Sequence, residues 1–86
     1  DDMKDEVAYS MAQSCMQYNM NAMAVKYLLL AYHYNPENIL VLYDLGLCYD
    51  KINDAGKSLL YYKKYLDIDP FAEHVWNNVG IIYTRL

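Results

Sequence analysis

Apolar side chains recur along this chain at helical spacing. Leu42, Leu45, Tyr49 and Ile52 stand three or four residues apart and so share one face of a helix. A break follows at Asn53-Asp54, where asparagine tolerates the left-handed backbone that ends a helix and aspartate can cap the next one. Leu59, Tyr62, Tyr65 and Leu66 then repeat the helical spacing up to Asp69-Pro70, and the proline stops the run because it lacks a backbone donor and clashes with the preceding turn. The same layout comes earlier: Ala8, Met11, Ala12 and Cys15, a turn at Asn19, a helix through Ala24, Leu28 and Ala31, then Asn35-Pro36. Turns this short make each pair of helices antiparallel. The expectation is an all-α chain built from helical hairpins.

The hairpins are copies of one another. "VLYDLGLCYD" and "VWNNVGIIYT" share V-x-x-x-x-G-x-x-Y, and the second begins 34 residues after the first. At that offset Gly46 pairs with Gly80, Tyr49 with Tyr83, Leu42 with Trp76, and in the other direction Pro70 with Pro36, Asn53 with Asn19 and Tyr61 with Tyr27. The divisions that follow are a flank at 1–4, a first repeat at 5–38, a second at 39–72, and the first helix of a third at 73–86.

A period of this length, with a bulky residue, an apolar-glycine pair, a tyrosine and a closing proline at these places, resembles the tetratricopeptide repeat family. The middle copy carries the signature in Leu42, Leu45-Gly46, Tyr49, Ser58, Tyr62, Tyr65 and Pro70, and the half copy in Trp76, Val79-Gly80 and Tyr83. In the first copy Ala12 replaces the glycine and Cys15 the tyrosine. The resemblance implies an α-solenoid, a right-handed superhelix of antiparallel hairpins whose stacked units bury a core that none could bury alone. On this reading Gly46 and Gly80 mark close approach of paired helices. Tyr49, Tyr62, Trp76 and Tyr83 fill the space between hairpins, and none of these residues is a ligand site.

The resemblance also implies that the first helix of each hairpin lines the inner, concave wall. The residues left free to point there are Tyr9, Gln13, Met16 and Gln17; then Leu40, Tyr43, Leu47, Asp50 and Lys51; then His74, Asn77, Ile81 and Thr84. From Ile39 to Cys48 only Asp44 and Gly46 interrupt the apolar run, so this helix has two apolar faces and needs cover on both. One face serves the core, and the other is expected either to receive an apolar helix or extended peptide of a partner or to be covered by further repeats or a second copy of the chain.

Composition and charge narrow the classes of partner. Hydrophobic residues make up 56% of the 86, with eleven tyrosines and three glycines, which fits a packed helical domain near the size where one core is barely sufficient. A net charge of −4 and a single arginine, Arg85, argue against a phosphate backbone as ligand, since that requires clustered cations. No apolar run approaches the roughly 20 residues of a membrane span. The acidic start, Asp1-Asp2-Met3-Lys4-Asp5-Glu6, is unlike a secretory leader. Cys15 and Cys48 lie inside apolar helical runs and read as buried thiols, which suits a reducing cytoplasm.

Candidate chemistry is sparse. His33 and His74 have no Cys, His or carboxylate at a metal-ligand spacing, so no metal or cofactor is expected. Asp67-Ile68-Asp69 opens like a calcium loop, but Ala72 stands where glycine is needed and Asn78 where the bidentate glutamate belongs. Lys63-Lys64 reads as a solvated face. No nucleophile and base pair can be assembled, so the chain reads as a non-enzyme. Some relatives of the repeat family clamp the acidic tail of a heat-shock chaperone with lysines, asparagines and an arginine. Here the matching positions hold Tyr9, Gln13, Asp44, His74 and Asn78, so the cations are missing.

The expected role is a protein-interaction adaptor that holds a partner protein or peptide with an apolar segment. A small export chaperone and a self-associating structural segment are the alternatives. The chain starts without an initiator methionine and stops inside a third hairpin, which favours the adaptor as part of a longer array.

Overall fold

A computed structural model describes residues 3–86, so that Asp1 and Asp2, half of the flank assigned to 1–4, lie outside the described residues. The described residues form five helices: α1 (Lys4–Gln17), α2 (Asn21–Tyr34), α3 (Ile39–Lys51), α4 (Ala55–Ile68) and α5 (Glu73–Arg85). None is long and apolar enough to cross a membrane. The bounds of α1 aside, they follow the offset closely: α4 begins and ends 34 residues after α2, and α5 does the same relative to α3. Each helix packs on the next in chain order, and the array measures 40 × 26 × 17 Å.

The turns show why the chain reverses where it does. Asn19 and Asn53 adopt left-handed backbone, with φ of 61° and 67°. After α1, Met20 N–H donates to the Cys15 carbonyl at 2.8 Å and Asn19 N–H to Met16 at 3.1 Å. After α3, Asp54 N–H donates to Tyr49 at 2.9 Å and Asn53 N–H to Asp50 at 3.0 Å. These paired bonds satisfy carbonyls that a helix end otherwise leaves orphaned. Asp54 then accepts from Lys57 N–H at 3.1 Å, capping α4 as its place in the sequence led one to expect. At the other end of each hairpin, Asn35 and Asp69 accept from the backbone N–H two residues on, each at 3.3 Å, so a side chain and a proline together stop α2 and α4.

The core has two parts. Ala8, Ala12, Cys15, Ala24, Leu28 and Ala31 of the first hairpin meet Val41, Leu45, Cys48 and Tyr49 of α3. Leu42, Tyr62, Tyr65 and Leu66 meet Ala72, Val75 and Ile82 at the start and along α5. Helix α3 contributes to both, and seven of its residues are buried. Helix α2 packs on α3 through Val41, Leu45, Cys48 and Tyr49. Leu40 stays exposed, with Tyr43 and Leu47 half-buried.

The close approach expected at the glycines holds at one of them. A Cβ on Gly46 would lie 2.4 Å from Tyr62 Cε1, and Ser58 Oγ donates to the Gly46 carbonyl at 2.7 Å within the same buried contact. At Gly80 a Cβ would meet nothing within 4 Å, because no helix among the described residues packs on α5 as α4 packs on α3. Trp76 and Tyr83, expected between hairpins, are for that reason 52% and 63% exposed.

Gly46→Ala should accordingly destabilise the chain by about 1–3 kcal/mol, because the ring of Tyr62 has no room to retreat. Gly80→Ala should be neutral or stabilise by up to about 1 kcal/mol through helix propensity. Urea denaturation followed by circular dichroism distinguishes them, and equal shifts in the two variants would contradict the packing described.

Candidate functional site

The first helices of successive hairpins stand side by side, and one contact repeats between them. Tyr9 of α1 donates its hydroxyl to Asp44 of α3 at 2.9 Å. Thirty-four residues on, the same two places hold Tyr43 and Asn78, and Asn78 Nδ2 donates to the Tyr43 hydroxyl at 3.3 Å. The direction of donation reverses because a carboxylate only accepts whereas an amide also donates. A third contact with the same separation, the ion pair of Asp50 with Arg85, closes the far end of α3 against α5. Three contacts thus place α1, α3 and α5 in a common register along one face.

Around this line the side chains are held by one another. Gln13 Nε2 donates to Asp44 at 2.8 Å, so the carboxylate has two donors from α1, and the same amide lies 3.8 Å from the sulfur of Met16. Asn78 also donates to the Tyr62 hydroxyl at 3.3 Å. The Tyr43 ring packs against Tyr62, Tyr65 and His74, with centroids 6.0, 6.1 and 5.0 Å away. His74 also lies against Tyr65, its Nε2 3.5 Å from that hydroxyl.

Electrostatics follow burial. The Asp44 carboxyl is pushed above its ordinary value because it is buried, and the hydrogen bonds from Tyr9 and Gln13 offset only part of that rise. Burial, followed by the hydrogen bond and charge of Asp44, raises the Tyr9 hydroxyl to about 12, so it remains a donor at neutral pH. Burial likewise takes the Cys48 thiol up to about 11, with the charge of Asp44 adding to it, which leaves that sulfur protonated and inert. Cys15 is buried as well, and neither cysteine is in a disulfide.

Of the residues expected on the inner wall, Tyr9, Gln13 and Met16 gather around Asp44, and Tyr43 and His74 around Tyr65. Asp50 meets Arg85. Leu47 is half-buried, Leu40 and Ile81 are 55% and 57% exposed, and Asn77 is exposed. The residues that organise the face, Asp44 and Asn78, figured in the sequence only as positions matching a carboxylate clamp and not among the residues expected to contact a partner. A signal was present: a carboxylate inside a ten-residue apolar run needs donors, and it stands 35 residues after Tyr9.

No protein-family model matches this chain, and no curated protein matches it.

Asp44→Asn should keep both acceptor bonds while removing the cost of burying a charge, and Asn already serves at the equivalent position 78. Because the folded carboxyl titrates above its ordinary value of 3.8, ionising it weakens the fold. The variant should match or exceed the parent by up to about 1 kcal/mol at neutral pH. That advantage should shrink as pH falls through the raised pKa and vanish below the ordinary one. Urea midpoints measured across this range check the sign, and an advantage that grows on acidification would contradict it.

Proposed function

We propose that this chain is a non-enzymatic protein-interaction module, an α-solenoid segment of the tetratricopeptide repeat kind, whose inner face holds an apolar segment of a partner protein or peptide. The repeated contact of Tyr9 with Asp44 and Tyr43 with Asn78 carries this reading. It supports stacking of equivalent helices by a constant step, the property that makes one continuous wall out of separate hairpins.

The character of that wall supports binding over chemistry. Asp44 already has donors from two side chains, and Cys48 is a protonated thiol in the core, so neither is poised as base or nucleophile. Polar groups tied to each other are also preorganised, which lowers the ordering cost when a partner arrives. Between them, exposed Leu40 and Ile81 and the half-buried Tyr43 and Leu47 offer apolar contact area. Tyrosine suits such a wall, since it supplies a large rigid contact at low entropic cost. The wall carries little free positive charge, with Arg85 engaged by Asp50, so the partner segment is apolar and not an acidic tail.

Panning random short peptides against the immobilised chain tests this reading. Enriched peptides should share apolar residues and lose at least about tenfold in affinity on Leu40→Glu. Helix content should be unchanged in that variant, since Leu40 is exposed. Peptides that bind Leu40→Glu as well as the parent would place the partner elsewhere.

A further inference from the structure

The turns within hairpins lie on one edge of the array and the links between hairpins on the other, with helices of 13 or 14 residues, about 20 Å long, between them. Charge is divided between these edges. Residues 18–26 and 50–57, which hold the two turns, carry Lys26, Lys51 and Lys57 and only two of the chain's eleven acidic residues, Asp50 and Asp54. Both acids are engaged, Asp50 by Arg85 and Asp54 by the N–H of Lys57. Lys26 and Lys51 are exposed and form no ion pair among the described residues. At Met20, 34 residues before Asp54, no side chain caps α2, and the first turn of that helix holds no acid, so its positive end is unopposed.

The same edge holds an apolar cavity of about 490 Å³, lined by Met20, Ala22 and Met23 at the start of α2, by Ile52 of the second turn, and by Asn19 and Lys26. Both hairpins that form it are present, and Met20, Met23 and Ile52 are still exposed. Because the helices pack in chain order, hairpins stacked beyond α5 would lengthen the array without crossing this cavity. The opposite edge presents its complement. Between α4 and α5 the stretch Asp67-Ile68-Asp69-Pro70-Phe71-Ala72-Glu73 sets a phenyl ring among carboxylates. Phe71 is 87% exposed, more than any other large apolar side chain described. Its backbone is nevertheless held: Phe71 N–H donates to Asp69 at 3.3 Å, and Trp76 Nε1 donates to the Pro70 carbonyl at 2.7 Å. Nor does this exposure come from a missing neighbour, since Glu37, the equivalent residue 34 positions earlier, is exposed with the next hairpin in place.

We propose that the 67–73 stretch of one copy of this chain docks on the turn edge of a second copy, with Phe71 in the cavity beside Met20, Met23 and Ile52 and with Glu73 meeting Lys26. The ring leaves water for a site lined by apolar side chains, and an acidic edge meets cations that lack partners of their own. One copy cannot make the contact with itself, because the length of the helices separates its two edges. The contact is heterologous: each copy offers a different surface, so copies join head to tail and an end copy keeps one edge free to add another. It uses neither the inner wall nor the open side of α5, and it does not depend on what the wall binds.

Sedimentation velocity of the full 86-residue chain, from about 10 μM to about 1 mM, tests this. The sedimentation coefficient should rise with concentration, and rise less when salt is added. Phe71→Ser and Lys26→Glu should each leave the chain monomeric over the same range with an unchanged melting curve, since both side chains are exposed. Glu73→Lys should also be monomeric. Mixed together, the Lys26→Glu and Glu73→Lys variants should associate, because each then finds an opposite charge on the other. A parent chain that stays monomeric throughout, or a mixture that does, would overturn the proposal. So would association that survives Phe71→Ser or that Leu40→Glu abolishes, since the contact would then lie elsewhere.

Discussion

The nesting of the Tyr62 ring against a backbone with no side chain at Gly46 sets the spacing of the second hairpin. It brings α3 and α4 close enough for Ser58 to reach the Gly46 carbonyl, and it seats a large aromatic in the middle of the second hairpin. With that ring in place, Leu42 and Leu66 close over Val75 and Ile82, so α5 is anchored on the hairpin before it. The first hairpin meets the same requirement with different volumes. Ala12 and Leu28 stand at the corresponding positions, and both are fully buried. A larger residue on one helix is matched by a smaller one on its partner, which is how close-packed interiors accommodate sequence change.

Much of this was legible in the amino-acid sequence because it rests on local rules. Asn19 and Asn53 announce left-handed turns, Asp54 a cap, and Asn35-Pro36 and Asp69-Pro70 the ends of helices, and each depends on a few neighbouring residues. Gly46 was legible as a close approach through its recurrence at 80. The same recurrence misled at Gly80, Trp76 and Tyr83, since a motif states what a position is shaped to receive and not whether a neighbour is there. The second apolar face of α3 was legible too, since its apolar run is longer than one core face needs: Leu40 is exposed and Tyr43 and Leu47 are half-buried. Asp44 was the largest gap: its role rests on donors from Tyr9 and Gln13, more than thirty residues away, which periodicity along one helix does not reveal.

The contacts of Tyr9 with Asp44 and of Tyr43 with Asn78 recur at one separation along the chain and pair polar groups of α1, α3 and α5. The same step sets out on α5 the face that α4 covers on α3, with Trp76 and Tyr83 flanking the space above Gly80.

A double-mutant cycle between Gly46 and Tyr62 addresses the nesting constraint most directly. Gly46→Ala and Tyr62→Leu are made singly and together, so that the double variant carries the pair found at positions 12 and 28. If the close approach governs the hairpin, each single change destabilises and the pair recovers at least about 1 kcal/mol relative to their sum. Simple additivity of the two changes would contradict this, showing that the ring and the glycine do not constrain each other.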